Sequence, residues 1–257
     1  MKKIVNILIV FGLVTALSAA DEEKMTTHAE LSYANTGGNT ESQDVAGNLK
    51  MKLPIGNNTL RFVGNVLYSD TTSYDENGTF EDNLRTKNRW DAEGNYDYNF
   101  NKVIAFNYIL GGKGDEFSTF EYQIYTGPGG IVTAVKNDEH DLKFQANVLY
   151  LWDRLRKDTS TTPITDAYMH DYAGYQASMD YVFQFTKSAK FIQYLMYRSE
   201  FGDSSNYFAK SKSALESKIS DVFSMGLSYT IDYTNNKADD VRSYTDSVFL
   251  ASIIADF

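Results

Sequence analysis

Charged side chains recur at every second position along several stretches of this chain. Arg89, Asp91, Glu93 and Asp97 alternate with Trp90, Ala92, Tyr96 and Tyr98, and Lys210, Lys212, Glu216 and Lys218 keep the same spacing. Lys50, Lys52, Arg61, Glu121, Lys143, Asp180 and Asp232 also fall on the polar side of alternating segments. Both signs are present, so these faces are equipped to pair internally or to line a path for ions and hydrophilic solutes. Nucleophilic chemistry has little to work with. The three histidines are His28, His140 and His170. Only His170, with Asp166 and Asp171 close by, lies where a rim hydrolase would place a base; the expectation is an ordinary loop residue and no enzyme. Without cysteine there is no Cys–His zinc cluster, and neither metal nor cofactor is expected. The stretch DENGTFEDN (75–83) holds four acids but lacks the alternating ligands of a calcium loop. RLRK (154–157) is basic and suited to lipopolysaccharide phosphates. A solvated rim is the expectation for both.

The elements that position these residues read as strands. In RWDAEGNYDYNF (89–100) strand spacing separates apolar from polar residues completely, whereas helical spacing mixes them. The pattern predicts twelve strands, near 26–35, 43–53, 59–69, 87–99, 103–111, 119–135, 141–154, 168–185, 190–200, 207–219, 222–233 and 244–257. The GPGG at 127–130 is expected to kink, bulge or shorten its strand, and 190–200 is poorly phased. Connections alternate in length: short at 54–58, 101–102, 136–140, 186–189 and 220–221, long near 70–86, 112–118, 155–167, 201–206 and 234–243. Short turns at one end and long loops at the other are the signature of an outer-membrane barrel. Aromatics sort in the same way. Trp90, Trp152, Tyr68, Tyr207, Tyr233 and Tyr244 fall at the loop end, and Phe100, Phe144, Phe185, Phe191, Phe223 and Phe257 at the turn end, as interface girdles do.

The first twenty residues have the layout of a secretory leader: Lys2 and Lys3, an apolar run over 4–17, then Ser18, Ala19 and Ala20. Residues 21–257 form the barrel. The net charge of −10 argues against nucleic acid as a partner. A negative mean hydropathy does not exclude a membrane barrel, because only alternate residues face lipid. Charged groups are costly on that face, by about 2–4 kcal/mol for Lys or Arg at mid-bilayer, so the charged faces are assigned to the lumen.

The stretch ELSYANTGGNTES (30–42) resembles the N-terminal hallmark of a bacterial family named for salt-induced outer-membrane proteins, domain-of-unknown-function family 481. Thr36, Gly38, Asn39 and Thr40 match its Thr-x-Gly-Asn-Thr element. SALESKISDVFSMGLSYTIDYTNN (213–236) resembles the family's penultimate hairpin, and TDSVFLASIIADF (245–257) its closing strand. The glycine-rich middle strand is matched only loosely, by GPGGIV (127–132). The terminal Phe257 resembles the signal that the barrel-assembly machinery recognises. The resemblance implies an outer-membrane barrel, and together with the strand pattern the expectation is an all-β, antiparallel up-and-down transmembrane barrel of about twelve strands in the bacterial outer membrane, in contact with its lipid and lipopolysaccharide. It supplies no substrate and no catalytic residue. The function expected is a narrow channel for small hydrophilic solutes or ions, linked to salt or osmotic stress. A structural or surface-interaction barrel with a sealed lumen is the alternative, and a rim enzyme using His170 a remote one. Oligomeric state is not legible.

Overall fold

The computed structural model describes residues 25–36, 40–74, 80–118, 120–157, 166–235 and 245–257. The leader assigned to 1–20 lies outside them. Twelve strands follow one another: β1 (Thr26–Thr36), β2 (Thr40–Ile55), β3 (Asn58–Tyr74), β4 (Phe80–Asn99), β5 (Ile104–Asp115), β6 (Phe120–Lys136), β7 (His140–Leu155), β8 (Met169–Gln184), β9 (Ala189–Glu200), β10 (Tyr207–Lys218), β11 (Phe223–Thr234) and β12 (Thr245–Asp256). Each pairs antiparallel with its sequence neighbours, and β1 pairs with β12, so the sheet closes into a barrel. Closure removes the unpaired edges that would otherwise need covering.

Period-two patterning decides which face is which. Leu110, Val148, Met225, Leu227, Phe249 and Ile253 point outward and are exposed, while Asn95, Asp97, Asn107, Asn147, Asp153 and Asp232 point inward and are buried. That distribution is inverted relative to a protein surrounded by water, and it suits a barrel surrounded by lipid. The strands are the crossing elements, for no helix among the described residues is long and apolar enough to cross a membrane. β1 has 11 residues, and β5 and β9–β12 have 12 each. At about 3.3 Å per residue and a tilt of about 40°, that covers about 30 Å, the thickness of a hydrocarbon core.

The turn end is built from one repeated device. The side-chain oxygens of Asn101, Asn137, Thr186 and Ser220 each accept hydrogen bonds from the two backbone amides that lie two and three residues on. These local bonds reverse the chain without help from a core. The β2–β3 turn uses Gly56 instead, at φ 58°, in the left-handed region a tight hairpin demands.

Three expectations need correction. The connection placed at 70–86 is mostly strand: β3 runs to Tyr74 and β4 starts at Phe80, with 17 and 20 residues. A polar ladder of Ser69, Asp70, Thr71, Arg85 and Thr86 can continue past the membrane because its two strands satisfy each other. The connection at 112–118 is shorter than expected too, since β5 continues to Asp115. And the GPGG neither ends nor shifts its strand. Gly127–Gly130 stay in one register with β5, and the irregularities in β6 flank them, at Phe120/Tyr122 and Thr133/Val135. The glycines are there for closeness. A Cβ on Gly127 would stand 1.9 Å from the Val148 carbonyl oxygen, and one on Gly129 2.2 Å from that of Ala146.

Candidate functional site

The inward faces converge on a lumen whose two sides differ. Along β4–β8 it is filled. Asn107, fully buried on β5, is the centre of an amide network. Its Nδ2 donates to Asn95 Oδ1 at 3.0 Å and to Asp97 Oδ1 at 2.7 Å, and its Oδ1 accepts from Gln145 at 3.1 Å and Asn147 at 2.7 Å. Arg61 reaches in from β3, donating to both oxygens of Asp97 at 2.6 and 3.0 Å and to Gln145 at 3.1 Å. Nearer the loop end, Ile109, Tyr125, Leu149 and Leu151 form an apolar cluster inside the barrel, with Tyr172 against it. Behind it, the fully buried Asp153 accepts from the Tyr172 hydroxyl at 2.8 Å.

The remaining arc, β1–β3 and β9–β12, faces a cavity of about 770 Å³. Its lining runs from Thr26, His28, Asp256 and Phe257 at the turn end to Arg89, Lys113, Phe208 and Val248 toward the loop end. Lys50, Lys52 and Asp180 point into it from within their strands and are nevertheless exposed. Three contacts cross the barrel in its loop-side half. Arg89 on β4 meets Asp232 on β11 at 2.9 Å, and Lys210 stands 3.6 Å from the same carboxylate. The Lys113 ammonium sits 3.9 Å above the Phe208 ring, and the Arg198 guanidinium 3.6 Å above the Tyr125 ring. These links narrow the lumen at one level.

Of the charged residues assigned to the lumen from sequence, Lys50, Lys52, Arg61, Arg89, Asp91, Glu93, Asp180, Lys210, Lys212 and Glu216 line the cavity. Asp97 and Asp232 stand one layer back, bonded to lining cations. Lys212 pairs with Glu30 at 3.5 Å, and Lys190 with Glu216 at 2.7 Å. Lys143 is at the turn end, 3.3 Å from Asp141, and Lys218 is exposed at the end of β10. Glu121 is a correction. The irregularity between Phe120 and Tyr122 buries Phe120 and leaves Glu121 half exposed, 3.9 Å from Arg154. One inserted residue inverts the parity on which its lumen assignment rested.

His170 on β8 stacks on Tyr172, and its Nε2 lies 3.3 Å from Glu200 Oε2. Asp171 instead accepts from Tyr150, and Asp166 pairs with Lys157 at 3.3 Å. His140 stacks on Phe183 at the turn end, and His28 bonds Asp256 at 2.7 Å across the β1–β12 seam. In the basic stretch 154–157, Arg156 donates to the carbonyls of Ser118 and Asp115, tying down the β5–β6 connection. Thr36 ends β1 and Thr40 begins β2, while Gly38, Asn39 and the acidic residues 75 and 76 lie outside the described residues. Phe257 joins β1 through its backbone, exchanging two 2.9 Å hydrogen bonds with Thr27. Of the girdle residues, Trp90 is exposed at the loop end, and Phe100, Phe185 and Phe223 at the turn end.

Lys113, Arg198, Tyr125 and Glu30 were not singled out from sequence, yet they line the same cavity. Lys113 sits in GGKGD, where glycines erase the alternation, and Arg198 in the poorly phased ninth strand.

A search of curated proteins finds no match. Among solved structures, the translocator domain of the autotransporter NalP from Neisseria meningitidis is 7% identical over 96% of this chain and 92% of its own, with a TM-score of 0.49. The NanC porin is 14% identical over 90% and 97%, with a TM-score of 0.47. The KdgM porin in complex with disordered oligogalacturonate is 9% identical over 90% and 98%, with a TM-score of 0.45. Assignment rests instead on the family match, which spans residues 29–257 and so nearly the whole barrel: the chain belongs to the family described as protein of unknown function, DUF481.

Proposed function

We propose that this protein is a non-enzymatic barrel of the bacterial outer membrane, with its turn end toward the periplasm, and that its lumen passes small hydrophilic solutes or ions. The observation that carries the reading is the charge-lined cavity, which extends from Asp256 at the turn end to Lys113 in the loop-side half and in which Lys50, Lys52 and Asp180 are exposed. These three residues pair with His28, Thr26 and Lys143, so water reaches the lumen from the turn end. Val248 and Asp256 both line the cavity. They are about 20 Å apart along the axis, which gives a mean cross-section on the order of 40 Å². A solvated ion fits that section. A sealed, structural barrel is favoured by one specific observation, the Arg89–Asp232 pair that spans the lumen.

Single-channel recording of the refolded protein in a planar bilayer separates the two. Discrete conductance steps are expected, and their absence at every voltage would leave only the sealed barrel.

A further inference from the structure

The cross-lumen layer holds two cations without a direct ion pair. Arg89 and Lys210 share Asp232. Lys113 and Arg198, which line the cavity beside them, have no carboxylate within 4.0 Å among the described residues. Arg198 is 7% exposed, and its donors go to the neutral Gln176 Oε1, at 3.0 and 2.6 Å. Each of the two cations lies over an aromatic face. The acids of this region, Asp153, Glu93 and Asp91, hydrogen-bond to the neutral Tyr172, Tyr125, Asn95 and Asn65, so their charges offset those of Lys113 and Arg198 only at a distance.

Buried cations are costly unless a counter-charge is supplied. A cation over a ring recovers part of that cost, about 0.5–2 kcal/mol, and leaves the charge in place. Two such cations lining one cavity can add direct contacts to an anion that enters it. Arginine adds directional donors suited to a planar or tetrahedral oxyanion, while the lysine supplies a point charge. The flanking rings of Phe208 and Tyr125 present apolar surface to the rest of a small organic anion.

We infer that Lys113 and Arg198 form an anion-binding constriction in the lumen, taking small anions that carry a carboxylate, sulfate or phosphate group. The inference rests on the channel reading for its role in permeation, though the binding site itself does not require flow. An anion entering the cavity exchanges water for direct contact with these two cations and leaves past Arg89 and Lys210. The net-acidic chain would then be selective against the sign of its own net charge.

The test uses the full-length refolded barrel under a potassium chloride gradient. The reversal potential is expected on the chloride side, and sulfate at millimolar concentration is expected to block the chloride current. In Lys113→Gln/Arg198→Gln the potential should move toward zero or reverse, and the sulfate block should weaken about tenfold or more. Lys102→Gln, an exposed change in the β4–β5 turn, is the control. Heat-modifiable migration on a gel confirms that each variant is folded. Currents that are cation-selective, or whose selectivity and block the double variant leaves unchanged, overturn the constriction while preserving the channel. If no current flows, the channel reading fails and calorimetric titration of sulfate into the detergent-solubilised barrel decides the site. Sulfate binding lost in the double variant supports it, and no binding, or binding retained, overturns it.

Discussion

Replacing Asn107 with leucine probes the filled side of the barrel. Asn107 is fully buried and makes four hydrogen bonds of 2.7–3.1 Å, two as donor and two as acceptor. Leucine has nearly the same length and offers none of them. Three of the bonds are between neutral amides, worth about 1 kcal/mol each, and the fourth, to Asp97, is worth about 1.5–3 kcal/mol. Every partner keeps another bond: Asp97 to Arg61, Gln145 and Asn147 to each other, and Asn95 to Gln145 at 3.5 Å. Leucine also recovers about 1–2 kcal/mol of apolar burial. The net expected loss is about 3 kcal/mol, roughly a hundredfold fall in the folding equilibrium constant. Urea titration of the barrel in phospholipid vesicles, followed by tryptophan fluorescence, measures it. Tyr108→Leu, one residue along on the lipid-facing side of the same strand and exposed, controls for effects on the strand and should cost well under about 1 kcal/mol. If Asn107→Leu lay within about 0.5 kcal/mol of the wild type, the amide network would not be holding the interior together, and the reasoning would fail.

The remaining expectations follow from contacts of other kinds. Gly127→Ala should prevent folding or cost more than the roughly 1–3 kcal/mol typical of overpacking, because its Cβ meets a backbone oxygen at 1.9 Å that no side-chain rotation can clear. Gly130→Ala, whose nearest contact is an ordinary 3.7 Å, should fold normally, and gel migration before and after heating compares the two. Arg89→Gln should raise single-channel conductance by releasing the Arg89–Asp232 bridge, while Lys210 keeps Asp232 compensated; unchanged conductance would place the narrowest point elsewhere. Arg156→Ala removes two side-chain hydrogen bonds to the β5–β6 connection, so limited proteolysis from the loop side should cut there faster, with the barrel core still resistant.

How much of this was legible follows from what each feature depends on. Strand positions depend on local alternation, and RWDAEGNYDYNF carried enough of it to place β4 and its inward acids. Turn positions depend on single residues such as Asn101 and Ser220, whose side chains bond the next few amides. Three things were hidden, for three reasons. Lys113 and Arg198 lie where alternation is lost, one among glycines and one beside Ile192 and Met196, which face inward despite being apolar. Glu121 was misplaced because a bulge inverts parity without any change in composition. The cross-lumen partners were out of reach altogether, since Arg89 and Asp232 are set opposite each other by the closure of the whole sheet. No spacing along the chain encodes that. The inward Leu149 and Leu151 were visible as an anomaly on a polar face, and their meaning required the cluster they complete with Ile109 and Tyr125.

The division of the lumen into a filled side and an open side follows from strand number. Eight strands leave an interior that side chains just fill, and sixteen leave an aqueous channel. Twelve strands enclose more volume than inward side chains can occupy evenly. This chain concentrates them: short amides and aliphatics fill the space along β4–β8, brought close by inward glycines such as Gly127 and Gly174, and long charged side chains, most of them from the opposite arc, surround the cavity. A filled wall is rigid because its polar groups are mutually satisfied. Opposite it, Lys50 and Lys52 are exposed to the cavity. Substitutions in the filled wall and around the cavity should therefore separate, with Asn107, Gly127 and Leu149 altering stability, and Lys50, Lys113 and Arg198 altering conduction and selectivity. A stability loss from Lys50→Gln as large as that from Asn107→Leu would contradict this division, because it would show the open arc to be held together by its charges as well.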